Sequence, residues 1–174
     1  WQRSTLWGSG YHLIAYWALK NPESPRAQNG IVAIMIEHGR ADDALILLQQ
    51  AVLRLPDSAL LSTQLLLLKV AEGTADEKDF IWAADRLAVQ PFDAQAVKSI
   101  DQLVGFVTNK DAKDGYVPLT QDLLSRMASS NKYGQFPLFQ RFVPYQQGRL
   151  LLYQERPDNK KQKFLVAMKL YGNI

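Results

Sequence analysis

Apolar residues recur along most of this chain at intervals of three and four, the spacing of amphipathic helices rather than strands. The clearest stretch is Pro25 to Ser58, PRAQNGIVAIMIEHGRADDALILLQQAVLRLPDS, 34 residues long. Ser24 suits an N-cap, and Pro25 suits the first helical position, where a missing N–H costs nothing. Ile31, Ile34, Met35 and His38 then recur at helical spacing and predict a helix over 25–38. Gly39 ends it, because glycine enters the left-handed cap conformation without a side-chain clash. Asp42 and Asp43 open a second helix, their charges set against the positive end of its dipole. Ala44, Leu47, Leu48 and Ala51 form its apolar stripe, and Pro56 ends it. Ala44 and Ala51 are small enough to let two helices approach closely.

The same pattern continues on both sides. A helix is expected over Ala59–Glu72, capped by Asp57 or Ser58 and stopped by Gly73. Thr74 and Glu77 read as a capping box, T-x-x-E, opening a helix with Ala83, Ala84, Leu87 and Val89 that ends at Pro91. A third pair starts at Asp93, with Ala96, Ile100, Leu103 and Val104 inward. It turns over Asn109–Gly115 and returns over Pro118–Ser129 with Leu119, Leu123, Leu124 and Met127. Ahead of these, Leu6–Leu19 reads as an orphan helix ending at Asn21-Pro22. The segment Ser129–Pro144 breaks the pattern and is expected as a loop or short irregular helix. A last hairpin is expected from Tyr145–Gln154 and Lys160–Tyr171, joined at Arg156-Pro157-Asp158. The expectation is one all-α domain over 1–174: an orphan helix (1–22), units at 25–58, 59–91 and 93–129, and an atypical cap (130–174).

The unit at 25–58 resembles the tetratricopeptide repeat family. Counted from Pro25, that family expects a large apolar residue at the seventh position, where Ile31 stands. It expects Gly near the fifteenth (Gly39), Ala at the twentieth and twenty-seventh (Ala44, Ala51) and Pro at the thirty-second (Pro56). Val32 departs from the small residue expected at the eighth, and the usual aromatic positions hold Gln28, Met35 and Leu48. The resemblance spans Asn21–Pro91 closely and reaches about Ser129 more loosely. It implies a right-handed α-solenoid of three clear helix pairs with atypical terminal helices, as terminal repeats cap a stack.

It also implies a concave groove lined by the first helix of each pair. By spacing, the groove positions fall on Arg26, Asn29, Ala33, Ile36 and Glu37, then Leu60, Thr63, Leu67, Val70 and Ala71, then Gln95, Lys98, Gln102 and Phe106. The contacts expected to matter are Arg26, Asn29, Ile36, Glu37, Thr63, Leu67, Lys98 and Gln102. A groove apolar in the middle and polar at its ends suits an extended peptide or amphipathic helix of a partner protein, a further helix of the same chain, or self-association. It lacks the Lys and Asn pattern of the carboxylate clamp of chaperone-binding repeats.

Composition narrows the chemistry. Apolar residues make up 47% and charged residues 21%, ordinary for a folded domain. The chain has no cysteine, which excludes a disulfide framework, a thiolate metal site and a cysteine nucleophile. The net charge of +3 is too mild to imply nucleic acid. Its only basic run, Lys160, Lys161 and Lys163, reads as a solvated helix start. His12 and His38 stand in no metal-ligand spacing. His38 reads as a helix-end residue and His12 as a packing residue in an aromatic helix. Asp42 and Asp43 are adjacent and point to different helix faces. No phosphate-binding loop, dinucleotide fingerprint or nucleophile elbow is present. We therefore expect no catalytic residue, cofactor or metal site. The aromatic and basic run Lys132, Tyr133, Phe136, Phe139, Arg141, Phe142 and Tyr145 is suited either to stacking on bases or sugars or to closing the end of the stack; the latter is favoured.

No stretch is apolar and long enough to span a bilayer. The opening WQRSTLWGSGYHLIAYWALKNPESPRAQ resembles the junction after the last membrane span of polytopic glycosyltransferases, including O-antigen ligase-like proteins and O-mannosyltransferases. The chain opens on Trp1 without an initiator Met, so a fragment or processed product is expected. This second resemblance implies a periplasmic accessory domain touching acceptor protein or glycan, with the membrane reached only through a portion preceding Trp1.

Overall fold

Residues 10–109 and 115–155 are described by a computed structural model. They form eight helices: α1 (Gly10–Lys20), α2 (Pro25–Glu37), α3 (Ala41–Arg54), α4 (Ala59–Ala71), α5 (Glu77–Val89), α6 (Ala94–Val107), α7 (Tyr116–Ser129) and α8 (Pro137–Glu155). No strand occurs among the described residues. α1 packs on α2, α2 on α3, α3 on α4, α4 on α5, α6 on α7 and α7 on α8, and alternate helices also pack side by side: α2 on α4, α4 on α6, α5 on α7 and α6 on α8. The result is a stacked, helical repeat-like bundle. The start proposed at Leu6, most of the turn after Asn109 and the helix proposed over Lys160–Tyr171 lie outside the described residues.

Caps and turns explain why the helices begin and end where they do. Ser24 Oγ accepts from the Ala27 N–H, and Ser58 Oγ accepts from the Leu61 N–H, each at 3.3 Å. At the other end, Gly39 (φ 72°) and Gly73 (φ 66°) adopt the left-handed conformation. The Arg40 N–H then reaches back to the Met35 carbonyl, and the Thr74 N–H to the Lys69 carbonyl, both at 2.8 Å. These Schellman-type closures satisfy carbonyls that the helix leaves unpaired. Because Thr74 and Ala75 both donate to Lys69, α5 cannot open at Thr74. The capping box is therefore not Thr74–Glu77 but Asp76–Asp79, whose carboxylates and backbone N–H groups bond reciprocally at 3.0 Å.

Two apolar clusters make the core. The smaller joins Val32, Ala44, Leu48, Ala51, Val52, Leu61, Leu65 and Leu68 from α2, α3 and α4. Ala44 and Ala51 are fully buried there, as expected of small residues at a close helix crossing. The larger runs from α4 through α8, and Trp82 of α5 packs against both. Gln28, at a position where an aromatic was expected from the family pattern, is buried for a polar reason. Its Nε2 donates to the Ala18 carbonyl at 3.1 Å and so satisfies the end of α1.

The segment Ser129–Pro144, expected as a loop or short irregular helix, is a turn over 130–136 followed by the first part of a long helix. α8 starts at Pro137, as Pro at a first turn allows, and continues through Pro144. An interior Pro costs roughly 3 kcal/mol. Phe139, Val143, Gln146 and Leu150 lie buried at helical spacing on either side of it, and each large apolar side chain contributes about 1.5–3 kcal/mol on burial. Pro144 itself faces water, so the carbonyl it leaves unpaired can be hydrated. Tyr133 and Phe139 are fully buried with rings 5.1 Å apart, and Phe92 stacks on Phe136 at 4.2 Å. Most of these aromatics thus close the end of the stack.

Candidate partner-binding groove

α2, α4 and α6 run in the same direction, because each is separated from the next by one returning helix. Their shared face forms a groove of about 510 Å³. α2 contributes Asn29, Val32, Ala33, Ile36 and Glu37; α4 contributes Leu60, Gln64, Leu67, Leu68 and Ala71, with Glu72 just beyond; α6 contributes Gln95, Lys98, Ser99, Gln102 and Phe106. The floor is apolar and close-packed. Leu60, Leu67 and Leu68 are buried, whereas Ile36 and Phe106 stand 41% and 45% exposed on opposite walls. One polar strut crosses the floor: Gln64 Nε2 donates to Ser99 Oγ at 2.8 Å, and Ser99 Oγ donates to the Gln95 carbonyl at 3.0 Å.

Six of the eight expected contacts come together here: Asn29, Ile36, Glu37, Leu67, Lys98 and Gln102. Two do not. Arg26 is exposed on the first turn of α2, one turn short of where the groove begins. Thr63 is only 2% exposed, and its Oγ1 donates to the Ala59 and Leu60 carbonyls at 2.9 Å. Val70 is likewise buried, in the larger core cluster. Leu60, Leu67 and Ala71 line the groove as the family spacing expects, but Gln64 and Leu68 line it in place of Thr63 and Val70. α4 is apolar almost all round, which hides its outward face from periodicity. Of the consecutive polar residues Ser62, Thr63 and Gln64, only Gln64 is not buried, and it marks that face.

The groove has an electrical direction. Glu37 and Glu72 lie at the C-terminal ends of α2 and α4, where the helix dipoles already place partial negative charge. Lys98 lies towards the N-terminal end of α6. None of the three makes an ion pair among the described residues. Acidic residues at helix C-termini do not favour the helix itself, so their presence calls for another explanation. Elsewhere Arg40 pairs with Asp43, Lys69 with Asp79, Arg149 with Asp101, and Arg126 with Asp85 and Asp122.

The histidines lie away from the groove. His38 Nδ1 sits 2.8 Å from the Ile34 carbonyl, so that nitrogen carries the proton and closes the end of α2. His12 is exposed rather than packed, touching the edge of Tyr11 at 5.6 Å. Among the described residues, no group of three His, Asp or Glu side chains converges as a metal site would require. No protein-family model, curated protein or solved structure matches the chain.

Proposed function

We propose that this chain is a tetratricopeptide-type interaction domain that binds a peptide or helix of a partner protein in the α2–α4–α6 groove and performs no reaction itself. One observation carries the reading: an apolar floor joins three parallel helices, and the charges along its rim make no ion pair among the described residues. Such a surface offers apolar contact along its length and polar contacts at its edges, the arrangement of helix-in-groove recognition. The repeat assignment is supported by caps at Ser24 and Ser58 and turns at Gly39 and Gly73, each pair separated by 34 positions.

A displayed peptide library tests the proposal. Wild type should enrich a defined apolar motif, and Ile36→Glu with Phe106→Glu should lose it. Leu53→Glu, on an exposed position of α3 outside the groove, should keep it. Enrichment of the same motif by all three proteins would sink the groove as the binding site.

A second reading is favoured by α1, on which Tyr11, Tyr16, Trp17 and Leu19 are exposed. Trp and Tyr concentrate at lipid–water interfaces. In this reading the domain is a periplasmic accessory of a membrane glycosyltransferase, resting on the bilayer through α1. Flotation with anionic liposomes tests it: Trp17→Ser with Tyr16→Ser should abolish flotation, and a wild type that never floats rules it out.

A further inference from the structure

The lining of the groove holds two acids, Glu37 and Glu72, and one base, Lys98. All three are exposed. Arg40 and Lys69 each stand three residues from one of the acids, yet they pair with Asp43 and Asp79. Asp101 stands three residues from Lys98, yet its carboxylate accepts from Arg149 and Gln146, and that of Asp93 accepts from the Gln95 N–H. The nearest charges in sequence are thus committed elsewhere. The strut from Gln64 to Ser99 fixes the register of α4 against α6 and sets Lys98 level with Gln64. Glu72 lies eight positions beyond Gln64, so acid and base stand about 12 Å apart along the groove.

The polar lining favours an extended occupant over a helix. The side-chain amides of Asn29, Gln95 and Gln102 line the groove and make no hydrogen bond among the described residues. A helix satisfies most of its own backbone and has little use for them. An extended chain presents an unpaired N–H and C=O at each residue, which such amides can bond. It advances about 3.3 Å per residue, so about four residues bridge the distance between the charges. Side chains four apart on an extended chain, and the one midway between them, all point to one side.

We infer that the groove takes an extended segment of a partner protein carrying a Lys or Arg and an Asp or Glu about four residues apart, with an apolar residue midway between them. The base meets Glu37 and Glu72, and the acid meets Lys98. The apolar side chain rests on the floor at Leu68, which lies midway between Gln64 and Glu72 on α4. The inference rests on the groove being a binding surface, and it narrows the partner from any apolar segment to one with opposite charges at a fixed spacing.

Charge reversal tests it, with a displayed library of short random linear peptides as the probe and the full chain as bait. Wild type should enrich a base and an acid about four residues apart. Glu37→Lys with Glu72→Lys should exchange the selected base for an acid, and Lys98→Glu should exchange the selected acid for a base. A synthetic peptide of the wild-type motif should bind each reversed protein about fivefold more weakly, the scale of an exposed ion pair, and the matching reversed peptide should recover the loss. The lysine variant should fold at least as well as wild type in urea titrations, because bases favour helix C-termini. Should a reversal fail to fold, Glu37→Gln with Glu72→Gln, or Lys98→Gln, replaces it and should erase the preference instead of inverting it. A motif without fixed charges overturns the inference. So does a spacing of about eight residues, as a bound helix would give, or a preference that the reversals leave unchanged. In those outcomes the groove keeps its role if Ile36→Glu with Phe106→Glu loses the motif. A wild type that enriches nothing removes both readings.

Discussion

Ser24 and Ser58 hold equivalent places 34 residues apart: each hydroxyl oxygen accepts the backbone N–H three residues on, at 3.3 Å, and starts a groove helix. An unsatisfied N–H at a helix start costs about 1 kcal/mol when its cap is removed. Ser24→Ala and Ser58→Ala should each lower the unfolding free energy by about that amount. The double variant should show their sum in urea titrations, since the sites share no partner.

Gly134 is held by space rather than by backbone angle. A Cβ there would lie 2.2 Å from the Ala128 carbonyl oxygen and 2.9 Å from that of Ser130. Gly134→Ala should cost about 1–3 kcal/mol, the range for forced overpacking. Gly148, inside α8 with nothing within 4 Å of a Cβ, should behave oppositely: Gly148→Ala should stabilise by about 0.5–1 kcal/mol through helix propensity. Thermal melts of the two variants should move in opposite directions.

Tyr133 makes alkaline stability testable. Its ring is fully buried and its hydroxyl has no hydrogen-bond partner of good geometry. Burial, chiefly, with the charge of Asp93 adding to it and an Asp93 backbone N–H opposing it, pushes the phenol up to about 12. The unfolded chain releases this proton near pH 10, while the folded chain keeps it. Stability associated with the group is thus complete below pH 10 and is lost as pH rises towards 12, at up to about 1.4 kcal/mol per pH unit. Tyr133→Phe should flatten that fall. Tyr116, raised by burial and by Asp79, leaves a residual slope of the same sign. At pH 7 the Phe variant should be at least as stable as wild type, because it removes an unpaired buried hydroxyl.

Groove residues divide by burial. Leu67, only 8% exposed, belongs to the core as much as to the groove, and Leu67→Ala should cost about 2–5 kcal/mol. Ile36→Ala, on the open wall, should stay within about 0.5 kcal/mol. Equal losses in denaturant titration would mean that Ile36 is covered in solution.

Trp82 is the side chain that packs on both core clusters. Trp82→Ala should therefore uncouple them as well as destabilise the fold. Hydrogen exchange in α3 and in α7 should report one shared transition in wild type and two separated ones in the variant.

Local chemistry was readable from residues alone wherever a single side chain decides the backbone. Ser58 caps because its hydroxyl reaches an orphan N–H, and Gly39 turns because it has no Cβ. Pro25 starts a helix because it lacks a donor, and Ala44 marks a close crossing because it is small. The all-helical class, the helix pairs and six of the eight expected groove positions follow from such signals combined with period. Features set by several distant groups at once were decided only in three dimensions. α4 is apolar on nearly every side, so its neighbours, not its own pattern, turn Gln64 outward and Thr63 inward. Asp76 displaces Thr74 as the cap because Lys69, from the preceding helix, has already taken the Thr74 and Ala75 N–H groups. α8 passes through Pro144 because Phe139, Val143 and Leu150 gain more by packing on α6 and α7 than one lost hydrogen bond costs.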